Sequence, residues 1–195
     1  HALAASGLLV RKMGGVPLNP YQPPGIWEEM SFGKKQYQQD HGEKLYRRSL
    51  YTFWRRIAPP TAFFDNSGRQ VCQVNPLRTN TPLQALYTLN DVIFVEAARV
   101  LAEKAMLTHP DNDAGRLNFI FYRILSRGPA GAEIATLAEV LEQTRQRYAA
   151  APADAEAFLS AGESPRDGSL DAAEHASWAA LALAVLNLDE AVTKP

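Results

Sequence analysis

The chain has 195 residues but only one cysteine, Cys72, and four histidines, His1, His41, His109 and His175. A lone thiol excludes an intrachain disulfide, so packing rather than cross-linking must hold the fold. Cys72 is read as a buried, inert side chain, because a cysteine nucleophile needs a histidine base beside it. The histidines are distant in sequence, and with one cysteine they make a poor zinc set. Charge of neither sign dominates: 20 Lys/Arg stand against 21 Asp/Glu, for a net of -1. Nothing global therefore points to nucleic acid. No apolar run approaches the ~20 residues of a membrane-spanning helix. Cys-x-x-Cys-His is missing, so this segment attaches no c-type haem. The P-loop, the dinucleotide fingerprint, His-Glu-x-x-His and the nucleophile elbow are missing too. No internal repeat stands out, which argues against a solenoid.

What is present is an ordinary globular composition, 46% apolar and 21% charged, able to bury a real core. The charge is unevenly placed. Residues 1–100 carry 12 Lys/Arg against 7 Asp/Glu, and residues 101–195 carry 8 against 14. The halves can attract each other within one fold, or the first half can present a basic surface to a partner.

The most informative stretch is Arg78-Thr79-Asn80-Thr81-Pro82-Leu83-Gln84-Ala85-Leu86. Thr81 is placed as an N-cap, Pro82 as the first helical residue and Gln84 as the partner of a capping box. Leu83, Leu86, Tyr87 and Leu89 follow as a short apolar face. Asn90-Asp91 then breaks the helix and starts a longer one near Val92. Arg78, Thr79 and Asn80 exceed what capping needs. Three polar side chains ahead of a positive helix end are a candidate anion site.

Residues 14–30 are rich in glycine and proline, which excludes helix and predicts an extended surface strap. Tyr21 and Trp27 pin that strap or, alternatively, make it an aromatic sugar platform or a peptide-docking arm. Residues 42–58 place Leu45, Ser49, Phe53 and Ile57 at helical spacing, ended by Pro59-Pro60. A helix is expected there, with a strand as the alternative. Its Arg47, Arg48, Arg55 and Arg56 form a solvated basic face or an anion-binding surface. Asn66-Ser67-Gly68 is turn chemistry, and Asp65 and Arg69 can pair across it.

The second half is plainly helical. Ala97, Leu101 and Ala105 line one helix; Leu117, Ile120, Phe121, Ile124 and Leu125 line the next, stopped by Gly128-Pro129. Ile134, Leu137, Leu141, Thr144 and Tyr148 form a third stripe, and a short helix starts at Pro152. After a loop at Gly162–Gly168, capped by Ser169, a last helix buries Trp178, Leu181, Ala182, Val185 and Leu188. Glu163, Asp167 and Asp171 crowd that loop, but their spacing is not that of an EF-hand, and a solvated acidic loop is expected. Asp189 and Glu190 point apart on a helix and are weak candidates for paired acid/base work. The expected fold is mainly α: an irregular strap over 1–77 and a bundle of about four to six helices over 78–195, in a single domain.

Four segments carry a family resemblance: Met13-Gly14-Gly15 with Pro20 through Trp27; Leu45 through Trp54; Arg78 through Asp91; and Gly162 through Asp167 with Leu186 through Glu190. The chain resembles the C-terminal PSD-one domain, or domain of unknown function 1553, of exported planctomycete-type cytochrome c proteins. Val92 departs from the pattern, which usually has proline after Asn-Asp. The resemblance implies a periplasmic or secreted multidomain polypeptide, with c-type haem in an upstream domain and no cofactor in this one. The opening His1-Ala2-Leu3-Ala4-Ala5, which reads as the end of a helix, fits a fragment cut from such a polypeptide. The family supplies no catalytic residues. Three readings follow: a docking module for upstream domains or an exported protein partner; an anionic-polysaccharide domain using Tyr21, Trp27, Tyr46, Tyr51, Trp54, Arg47, Arg48 and Arg78; and, last, a docking surface for electron transfer.

Overall fold

The computed structural model describes residues 1–53 and 80–193. They form nine α-helices and no strand, with two isolated parallel bridges and two 3-10 turns. The chain divides into two compact units, His1–Leu8 with Pro82–Pro195, and Leu9–Thr81.

The helical unit is built on α4 (Val92–Thr108) and α8 (Ala172–Leu186), which pack against each other more extensively than any other pair. Both are buried nearly all round. Ala97, Ala98, Ala102 and Ala105 on α4 and Ala176, Ala179 and Ala182 on α8 are fully buried, and small side chains allow close approach of the two backbones. Trp178, Phe121, Leu101, Ile120 and Leu181 fill the space around them. α5 (Asp113–Leu125), α6 (Gly131–Ala150), α7 (Pro152–Leu159) and α3 (Pro82–Asn90) complete six substantial helices, with α9 (Asp189–Val192) as a single turn.

The helix boundaries follow local chemistry. α3 begins at Pro82 and ends at Asn90, as the Thr81-Pro82 and Asn90-Asp91 pairs predict. The Asp91 carboxylate accepts from the Ile93 amide at 3.0 Å and caps α4; Val92 does not blunt that cap. Asn112 caps α5 by accepting from the Gly115 amide at 2.9 Å. Asp171, not Ser169, caps α8, accepting from Glu174. Two apolar assignments are corrected. Ile134 is exposed on α6, and Leu188 lies beyond the end of α8 and is exposed.

The first residues join this unit. α1 (Ala2–Ser6) buries Ala2, Ala5 and Ser6. Its last carbonyls accept from cations, Ser6 from Lys104 Nζ at 2.6 Å and Ala5 from Arg123 Nε at 2.8 Å. Positive charge at a helix C-terminus satisfies carbonyls that have no helical partner.

In the second unit the strap has no helix or strand up to Pro23, with Gly14 and Gly15 at positive φ, but then forms a helical turn, α2 (Ile26–Met30), entered through Gly25 at φ 86°. Proline disfavours helix at its own interior position and at the residue before it, and none follows Pro24 in this segment. The helix expected over 42–58 does not form in its described part. Gly42–Tyr46 and Ser49–Tyr51 are 3-10 turns instead. The backbone of this segment turns to the strap: Val10 N donates to Tyr46 O at 2.9 Å, Leu18 N to Tyr51 O at 2.8 Å, and Phe53 N to Leu18 O at 2.7 Å. Non-local pairing wins over the local apolar period. Residues 54–58, the turn at 65–69 and Cys72 lie outside the described residues.

Candidate functional site

Three places concentrate polar chemistry or exposed apolar surface. In the helical unit, the deepest charged cluster is built by α4, which carries Glu96, Arg99 and Glu103 one turn apart. Glu96 and Arg99 are buried, as is His175 from α8. They hold the loop Gly162–Asp167. Glu96 Oε1 accepts from the Ser164 amide at 2.7 Å. Arg99 Nη2 donates to Ser164 O at 2.7 Å and to Ser164 Oγ at 2.6 Å. Glu103 accepts from the Asp167 amide at 3.0 Å. Gly162 sits at φ +84°, and a Cβ there would lie 2.0 Å from the Glu96 carboxyl carbon. Only glycine lets the loop approach the carboxylate so closely.

His175 Nε2 lies 3.0 Å from the carbonyl of Arg99. A carbonyl only accepts, so Nε2 carries the proton and Nδ1 the lone pair in the neutral ring. Burial pushes its pKa down; the bond to the Arg99 carbonyl and the charge of Glu103 oppose this, and Arg99 and Arg166 add to it. The acidic loop is therefore clamped rather than free. Among the described residues no group of three His, Cys, Asp or Glu is arranged to hold a metal.

A second charged cluster ties α5, α6 and α8. Glu174 accepts from Arg145, Arg116 and Trp178 Nε1. Burial raises the Glu174 carboxyl, but these hydrogen bonds and the charges of Arg145 and Arg116 outweigh it and hold it low. Glu190, an acid/base candidate from the sequence, accepts from Arg127, which also pairs with Glu133. Its carboxylate links α9 to the start of α6.

Of the candidate contacts, Arg47, Arg48, Tyr21 and Trp27 lie in the second unit. Arg47 Nη2 donates to Lys12 O at 3.0 Å and to Gly14 O, and its guanidinium lies 4.1 Å from the centre of the Tyr51 ring. The Gly14 amide donates to the Tyr51 hydroxyl at 2.9 Å. Arg47 is thus engaged in holding the strap. Arg48 is exposed and reaches the Met13 sulfur at 3.5 Å. Trp27 packs on Tyr37 and Phe53, with ring centres 5.3 and 5.9 Å away. Tyr46 is buried, while Tyr21, Trp27 and Tyr51 are half-buried. Asn80 is exposed; Arg78, Thr79 and Trp54 lie outside the described residues.

The third place is α3, whose apolar face points the wrong way for a core helix. Leu83 is 77% exposed, Leu86 59% and Leu89 40%, while Gln84 and Thr88 are the buried residues. Thr88 Oγ1 donates to Asn187 Oδ1 at 2.6 Å, so polar contacts fix this helix and its leucines face outward. The spacing identified the leucines as one face; nothing in it indicated the direction.

A family model, PSD1, protein of unknown function (DUF1553), matches residues 1–141. The chain belongs to this family. The match takes in the first three resembling segments, whereas the clamped loop at 162–167 and the closing Leu186–Glu190 lie beyond it. No curated protein and no solved structure matches the chain.

Proposed function

We propose that this chain is a helical docking module, without catalysis of its own, in an exported multidomain cytochrome-c-type protein. Its partner is an apolar surface on an upstream domain of the same polypeptide, in the periplasm or outside the cell. Any c-type haem belongs to that upstream part. The observation that carries the reading is the outward leucine face of α3. Burying a leucine is worth about 1.5–3 kcal/mol, so three exposed on one short helix leave a substantial driving force for association. Residues 1–141 match a family of unknown function, which is compatible with this reading, and the resemblance to the C-terminal domain of longer proteins is what suggests an upstream partner.

Anionic-polysaccharide binding ranks below this. Arg47 is occupied by strap carbonyls and Tyr46 is buried, which removes two of the side chains that reading relies on.

The test is titration calorimetry between this chain and the separately produced upstream portion of its polypeptide. Saturable binding, weakened at least about tenfold in the Leu83→Ser/Leu86→Ser double variant, supports the reading; each tenfold corresponds to ~1.4 kcal/mol. Absence of binding, or equal binding by the double variant, overturns it.

A further inference from the structure

We propose that the turn Ser31–Lys35 is a lipid-contact loop that seats Phe32 in the interface of an anionic bilayer. This stands on different residues from the docking reading and does not depend on it. Phe32 is 93% exposed. Its backbone is also in the left-handed region, φ 53°, which bulky residues avoid. A phenylalanine held out of every contact in a disfavoured conformation is not explained by folding.

The turn that presents it is firmly built. Ser31 Oγ donates to Trp27 O at 2.6 Å, and the Lys35 amide donates to Ser31 Oγ at 2.9 Å. The Gly33 amide donates to Glu28 O at 2.7 Å and the Lys34 amide to Ser31 O at 3.2 Å. Phe32 therefore projects from a pre-organised tip. Met30, two residues earlier, is exposed as well. Lys34 and Lys35 follow directly, are exposed, and form no ion pair among the described residues. Glu28 and Glu29 precede the turn on α2, and Glu29 is exposed; within Ser31–Lys35 itself the only charges are the two lysines. Leu9–Thr81 as a whole has eleven Lys/Arg against five Asp/Glu, for a net of +6.

This combination fits a bilayer interface, where an aromatic enters the acyl boundary and lysines stay with the headgroup phosphates. A protein pocket fits less well. Hot-spot side chains are ringed by contacts that exclude water, whereas Phe32 is followed by exposed Gly33, Lys34, Lys35 and Gln36. Because one aromatic and two lysines bind weakly, the loop acts as a second contact for a chain already brought near the surface.

The experiment is co-sedimentation of the 195-residue chain with phosphatidylcholine vesicles containing phosphatidylglycerol, and with phosphatidylcholine vesicles alone, titrated into the millimolar lipid range where weak partition registers without a second contact. Partition to the anionic vesicles is expected to fall about fivefold for each lysine removed in Lys34→Gln and Lys35→Gln. It is expected to fall about tenfold or more in Phe32→Ser. Phe32→Gly relieves the left-handed conformation, keeps the fold and must lose partition equally. A wild-type chain that stays in the supernatant, or a Phe32→Ser chain that partitions like wild type, overturns the proposal. Binding to soluble polyglutamate but not to vesicles also overturns it, in favour of an acidic protein partner.

Discussion

One guanidinium nitrogen of Arg99 donates to both the carbonyl and the hydroxyl of Ser164, at 2.7 and 2.6 Å, across 65 residues of sequence. The loop Gly162–Asp167 is thereby fastened to the centre of α4 from inside the protein. Buried charge of this kind adds little net stability when intact, but losing one partner is costly. Arg99→Met is therefore expected to destabilise the chain by about 3–5 kcal/mol, because it strips the opposing charge from beside buried Glu96. Urea unfolding measures this. Limited proteolysis gives a second readout: the loop should be cut in the variant under conditions where the wild type resists. A wild-type-like midpoint and loop protection would show that the clamp is dispensable.

The same cluster sets a pH dependence. Burial lowers the His175 pKa in the folded chain below the ordinary 6.5, so the unfolded chain binds its proton more readily. The stability conferred by the neutral ring is complete above pH 6.5 and declines as pH falls below it, until the folded ring also protonates. Protonation would bring a third positive charge beside Arg99 and Arg166, with Glu103 the carboxylate opposing it. Thermal melts from pH 8 to 5 should show the melting temperature falling over this window. His175→Gln should flatten the fall; an equal slope in the variant would assign the acid sensitivity to carboxylates elsewhere.

These two expectations rest on residues the sequence marked only faintly. Helix positions were legible because α4, α5 and α7 announce themselves by side chains that act within a few residues: Asp91, the stripe from Leu117 to Leu125, and Pro152 at the start of α7. The clamp was not, because Glu96, Arg99 and His175 acquire meaning only when the loop 65 residues away from Arg99 closes on them. The segment from Gly42 to Phe53 was misread for the same reason. Its apolar spacing is helical, yet its carbonyls and amides pair with Val10 and Leu18, which a local pattern does not contain. Of the candidate contacts, Arg47 looked like a free cation because the sequence does not show which carbonyls lie around it.

The inverted face of α3 separates stability from association. Leu83→Ser and Leu86→Ser are expected to change unfolding free energy by no more than about 0.5 kcal/mol, as for ordinary surface substitutions. Thr88→Ala, which removes the donor to the half-buried Asn187 amide oxygen, should cost about 0.5–1.5 kcal/mol. Denaturant melts of the three variants decide this. A loss of about 2 kcal/mol or more on Leu86→Ser would mean that the face is covered within the chain itself, and the docking reading would lose its main support.

At the tip of the second unit, stability and use oppose each other. Phe32 occupies a left-handed backbone at φ 53° without contacts to offset it. A residue with a Cβ in that region costs ~1–2 kcal/mol relative to one that accepts it freely, while glycine loses some of that gain through its looser unfolded chain. Phe32→Gly is expected to stabilise the chain by about 0.5–1 kcal/mol, whereas Phe32→Ala, which keeps the Cβ, should leave stability nearly unchanged. Differential scanning calorimetry resolves the pair. If glycine destabilises instead, the ring makes contacts that hold the turn, and its exposure no longer argues for an external surface. If glycine stabilises, a better-folding residue has been passed over at this position, and the aromatic ring is retained for what it touches outside the chain.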